Sequence, residues 1–149
     1  VNRPIDVKIA PLVEKMNSTG VIHTIASCQG HVLGYRPPYV YFLAPVEIAA
    51  AIEQRLREAS MLDEPWANTM WVVKGAFDCE YRLCFRLYSP EYDEKCTSMM
   101  WAMWLFGFKC RRLDEELRAL SRIVEDVLVS ESEVASDGIT HNRSKKESV

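Results

Sequence analysis

The sequence predicts a single α+β domain: a four- to five-stranded, mostly antiparallel sheet with packed helices, in the order α-β-β-α-β-β-α-(β)-α. Three observations lead there. A chain of 149 residues is long enough to build one hydrophobic core without covalent staples. Its hydrophobic fraction of 48% and charged fraction of 26% are ordinary globular values. Short β-branched and aromatic runs alternate with segments whose apolar residues recur every three or four positions.

The first helix is predicted over residues 9–18, where Ile9, Leu12, Val13 and Met16 share one face. Pro11 sits in its first turn, where a missing N–H costs little. Thr19-Gly20 ends it, glycine being suited to the left-handed position after a last turn. Val21-Ile22-His23-Thr24-Ile25-Ala26 reads as a strand, and so does Tyr39-Val40-Tyr41-Phe42-Leu43. The polar connection between them, through Gly34, Arg36 and Pro37-Pro38, is too long for a tight hairpin.

Pro45 opens a second helix with Ile48, Ile52, Leu56 and Ala59 on one side, and residues 61–68 form a connection. Strands are expected at residues 70–74 and 79–88; in the second, Tyr81, Leu83, Phe85 and Leu87 alternate with Arg82, Cys84 and Arg86. Ser89-Pro90-Glu91 starts a third helix reaching about residue 106, and residues 107–111 read as a short edge strand. Asp114 then caps a last helix carrying Leu113, Leu117, Leu120, Val124 and Val127. The domain is expected to span residues 1–130, with 131–149, rich in Ser, Glu and Lys and without apolar periodicity, as a disordered tail.

Composition excludes several classes. The richest apolar run, residues 99–108, is far shorter than the roughly 20 residues of a membrane span. No secretory leader is expected, because Arg3, Asp6, Lys8, Glu14 and Lys15 interrupt the first 20 residues. Five cysteines, an odd count with no Cys-x-x-Cys pair, point to reduced thiols in a cytoplasmic protein. The net charge of −3 is concentrated after residue 112, where five basic face nine acidic side chains. Nucleic acid as a partner therefore finds no support in net charge.

One segment carries chemistry. Where the first strand ends, Ser27-Cys28-Gln29-Gly30-His31 delivers a hydroxyl, a thiol, a carboxamide, a flexible glycine and an imidazole within five positions. Gly30 permits a positive φ, so that successive N–H groups converge on an anion or carboxylate. Three readings compete with an ordinary turn. A small polar ligand or a protein partner binds at Ser27, Cys28, Gln29, Gly30 and His31, with Arg36 nearby. Alternatively, Cys28 and His31 act as nucleophile and base. In the third, Cys28 and His31 hold a metal, with His23 or a distant cysteine completing the shell. Because an isolated Cys-x-x-His supplies half a zinc shell, no metal and no cofactor are expected.

Ile5-Asp6, Pro11-Leu12-Val13, Met16-Asn17 and then residues 23–31 together resemble the N-terminal part of the wybutosine-synthesising tRNA methyltransferases. In that family a helix ends in an Asn-containing turn and a strand then ends Ser-Ser-Cys-Ser-Gly-Arg. Here Ala26, Gln29 and His31 replace the first Ser, the last Ser and the Arg. The resemblance implies that Ser27, Cys28 and Gly30 sit in a pocket for S-adenosylmethionine and substrate. The same turn is similar to Ser-Cys-x-Gly-His turns in uncharacterised phage and plasmid proteins, which implies encoding on a mobile element.

Two further features compete with the turn. Arg82 and Arg86 share one expected strand face, with Lys74 and Arg36 as neighbours, a pattern also natural for a solvated sheet face. Trp101 and Trp104 lie in a segment apolar on nearly every side, suited to the core or to an interface, including a homodimer. The latter reading makes the protein a homo-oligomeric interaction or inhibitor protein.

Overall fold

The computed structural model describes residues 5–31, 36–62, 69–94 and 108–144, with backbone alone at 94, 108–112 and 133–144. Helix α1 (Ala10–Asn17) buries Leu12, Val13 and Met16, and Pro11 falls in its first turn. Gly20 follows at φ +73°, the left-handed conformation expected of it. Asn17 then ties the helix end to the first strand, donating to the Thr24 hydroxyl at 2.7 Å and accepting from the Thr24 N–H at 3.0 Å.

Strands β1 (His23–Cys28) and β2 (Tyr39–Leu43) precede helix α2 (Val46–Ser60); β3 (Val72–Phe77) and β4 (Leu83–Tyr88) follow it. The four strands make one sheet in the order β1-β2-β4-β3, with every neighbouring pair antiparallel. The domain is α+β, as the residue pattern predicts. Helices α3 (Pro90–Glu94) and α4 (Phe108–Ser144) complete the described elements.

Alternation along β2 and β4 sorts the sheet into two faces. Val40, Phe42, Phe85 and Leu87 point to the face where Ile9, Leu12, Met16, Ile48, Ile52 and the α4 residues Leu117, Leu120 and Val124 bury them. The opposite face carries Tyr39, Tyr41, Arg86 and Tyr88, paired in register across β2 and β4. Pairing of β1 with β2 shifts by one residue between Thr24 and Ala26, so Ile25 is an extra residue, a β-bulge. Thr24 lies opposite Phe42 and Ser27 opposite Val40, whereas Cys28 lies opposite Tyr39.

Several expectations are corrected. Strand β4 begins at Leu83 instead of Cys79, because Asp78 folds the preceding residues into a turn. Its carboxylate accepts the Glu80 and Arg82 N–H groups at 2.8 and 2.9 Å and pairs with the Arg82 guanidinium, and Tyr81 takes φ +60°. Those hydrogen bonds hold the Asp78 carboxyl below its ordinary range. Arg82 and Arg86 therefore do not share a strand face. The edge strand expected at residues 107–111 is helix from Phe108 onward, and Asp114 lies inside α4 instead of capping it. The helical backbone of α4 runs from Phe108 to Ser144. Of the third helix expected to residue 106, the part from residue 95 lies outside the described residues. No helix among the described residues is long and apolar enough to cross a membrane.

One buried carboxylate joins the layers. Glu116 on α4 is 1% exposed and accepts from Thr69 Oγ1 at 2.8 Å, Trp71 Nε1 at 3.0 Å and the Tyr92 hydroxyl at 3.3 Å. Truncation would leave buried donors unmatched, each costing about 1–3 kcal/mol. Glu116→Ala is expected to lower unfolding free energy by about 3–5 kcal/mol in urea titrations; a loss below about 1 kcal/mol would show that the carboxylate is no anchor.

Burial and the Glu116 charge push the Tyr92 phenol well above its ordinary value of 10. Below that value both states keep the proton and the contribution is intact. Above it the unfolded chain releases its proton first, so stability falls as pH rises. Urea titrations above pH 10 should show a smaller fall in Tyr92→Phe than in the wild type; identical curves would contradict this.

Candidate functional site

The segment before α1 folds onto the end of β1. The Asp6 carbonyl accepts the Ile9 and Ala10 N–H groups at 3.2 and 3.1 Å, fixing the start of the helix and leaving the carboxylate to reach elsewhere. Asp6 Oδ2 accepts the Gln29 N–H at 3.2 Å and stands 3.2 Å from His31 Nε2. Gln29 returns the contact, its Oε1 accepting the Lys8 N–H at 3.0 Å. Two segments more than twenty residues apart are thereby laced together.

Gly30 makes the turn possible. Its φ is +87°, and a Cβ added there would stand 3.3 Å from Pro38 Cδ and 3.6 Å from the Arg36 carbonyl oxygen. His31 is then held by a two-way backbone bridge, donating to Arg36 O at 2.9 Å and accepting from Arg36 N at 3.4 Å. The result is a cluster in which one donor atom each from Asp6, Cys28 and His31 lie within 4.8 Å of one another.

The Cys28 thiol is 4% exposed, while the His31 and Asp6 side chains keep 41% and 28% of their surface. The cluster is thus closed at the sulfur and open at the imidazole. Burial pushes the Cys28 thiol up from its ordinary value; the Gly30 N–H at the sulfur pulls it down, Asp6 raises it and Arg36 lowers it. Burial is the largest of these influences, and it favours the thiol over the thiolate.

Of the residues expected at the site, Cys28, Gly30 and His31 come together. Arg36 joins them through its backbone bridge and its charge. Gln29 braces the site, its carboxamide oxygen being taken by Lys8. Ser27, opposite Val40, is on the helix-bearing face, away from Cys28. His23, at the far end of β1, is roughly 16 Å of strand from Cys28 and no part of the cluster. Trp101 and Trp104 lie outside the described residues. The residue that sequence reasoning did not single out as a site is Asp6. Its signal was its place four residues before a helix, which reads equally well as a cap.

Cys28 also borders the tyrosine-bearing face through its partner Tyr39. There the Arg86 guanidinium lies 4.2 Å from the Tyr88 ring centre and 5.6 and 5.8 Å from those of Tyr39 and Tyr41. Arg86 is neutralised by Asp93 of α3 in a bidentate pair at 2.9 and 3.0 Å. Arg82 is paired with Asp78, and Lys74 sits 5.6 Å over Tyr88. Lys74 is thus the cross-strand partner of Arg86 and shares the Tyr88 ring with it, whereas Arg82 is held in the turn by Asp78.

No protein family, curated protein or solved structure matches this chain.

Gly30→Ala is expected to destabilise the protein by about 1–3 kcal/mol, the range for a forced left-handed residue, read from a shift in the urea midpoint. Iodoacetamide should label the exposed Cys79 well before Cys28, measured by peptide mass spectrometry. Equal rates would show the turn to be open at the sulfur.

Proposed function

We propose that the protein binds a small polar ligand at the end of β1, with Asp6, His31 and the Gly30 backbone making its polar contacts. The observation that supports this most is the recruitment of Asp6. A turn needs only its own backbone bonds and a glycine. This one also gathers a carboxylate, an imidazole and a thiol from two distant segments, and leaves the imidazole side accessible. Tyr39, partly exposed beside Cys28, offers a ring against which a planar group stacks.

A second reading, a relative of S-adenosylmethionine-dependent RNA methyltransferases, draws on a specific observation. Asp6, Cys28 and Gly30 all fall in the stretches that resemble that family, and they meet in space. Under this reading the methyl donor occupies the same cluster.

The two are separated by binding measurements on metal-free protein. For the first, nucleotides, amino acids and dicarboxylates are added at millimolar concentration while the amide resonances of residues 27–31 are followed. Selective shifts that weaken in Asp6→Ala are expected; no perturbation by any member of the panel would remove the proposal. For the second, S-adenosylmethionine should raise Tm measurably at millimolar concentration. An unchanged Tm excludes it.

A further inference from the structure

We infer that Asp6, Cys28 and His31 form a three-ligand binding site for a zinc(II) ion at the end of edge strand β1. This goes beyond the polar-ligand reading and does not depend on it.

The donor types select the ion. A cysteine sulfur, an imidazole nitrogen and a carboxylate oxygen are the three ligand classes that zinc takes together. Magnesium and calcium require oxygen-rich shells, and one carboxylate does not supply one.

Distances agree. Ligand atoms held about 2.0–2.1 Å from a tetrahedral ion stand roughly 3.3 Å from each other. His31 Nε2 and Asp6 Oδ2 are 3.2 Å apart, so a shared cation fits where a shared proton otherwise would. With a sulfur–zinc bond of about 2.3 Å, sulfur and nitrogen stand roughly 3.6 Å apart. The three atoms already lie within 4.8 Å, so the sulfur has at most about 1 Å to travel, within reach of a side-chain rotation.

The surroundings are those of a supported site. The Gly30 N–H points at the Cys28 sulfur, and the Gln29 N–H holds Asp6 Oδ2. Outer hydrogen bonds of this kind orient ligands and favour their anionic forms. Each ligand is fixed independently: Asp6 by the start of α1, Cys28 by its pairing with Tyr39, His31 by the bridge to Arg36. Entry is open from the imidazole side. Three protein ligands leave a fourth vertex for water or for a donor atom of a bound molecule, the arrangement of reactive zinc sites rather than structural ones.

The test uses reduced, chelator-stripped full-length protein titrated with cobalt(II), then zinc(II). One equivalent of cobalt should produce visible bands of tetrahedral intensity and a near-ultraviolet thiolate-to-cobalt charge-transfer band, both abolished by zinc. Cys28→Ser should lose the charge-transfer band. Asp6→Asn and His31→Ala should each weaken cobalt binding at least about tenfold, with circular dichroism confirming that each variant is folded. Cys79→Ser should leave the spectrum unchanged. Absence of the band in wild-type protein, its survival in Cys28→Ser, or its loss in Cys79→Ser would each overturn the site. Because the organic-ligand measurements use metal-free protein, failure of either proposal is read separately.

Discussion

Phe42 on β2 and Leu87 on β4 are shut off completely from solvent, and the helices that surround them are arranged by that requirement. An antiparallel sheet can leave one face wet, but its apolar face must be covered. Here α1, α2 and α4 all serve that face. The Lys8–Asp114 and Lys15–Glu125 pairs sit at the seam between α1 and α4. Being largely exposed, these pairs align helices that apolar burial has already brought together. Asp6 reaches the end of β1 because α1 lies where Leu12, Val13 and Met16 can be buried. The site is thus a by-product of how the core is closed.

Much of this was legible in the residues. The α1 stripe, the β-branched and aromatic strands, the Pro45 entry to α2 and the heptad-like spacing after Leu113 each report a local period, which backbone geometry turns into a buried face. The turn at Cys28, Gly30 and His31 stood out because a strand end, a glycine and reactive side chains coincide there. What failed was local in another way. Alternation continued backward from β4 to Tyr81, but the side chain of Asp78 competed for the backbone and made a turn.

The contacts that complete the site and the core were not legible because they have no period. Asp6 and His31 are 25 residues apart, and Trp71 and Glu116 are 45 apart. Nothing in the spacing of a carboxylate along a chain says which distant amide it will meet. Glu116 was hidden further by its place in an otherwise polar stretch of α4, where Asp114 and Glu115 suggest a solvated face. Its burial follows from helical phase: it is one residue before Leu117 and three after Leu113, on the covered side.

The irregular pairing of β1 at Ile25 has a consequence for how this chain can vary. Were residue 25 removed, the ladder would close without a break, and Ala26, Ser27 and Cys28 would keep their partners Tyr41, Val40 and Tyr39. Cys28 would stay on the face of Tyr39 and Ser27 on that of Val40. The bulge thus absorbs a difference of one residue between the Thr24 anchor, held by Asn17, and the thiol. Two chains that both carry a Ser-Cys-x-Gly-His turn can differ by that one residue and still present the same side chains on the same face. Only a second deletion, with no bulge left to absorb it, would turn the thiol toward the helices.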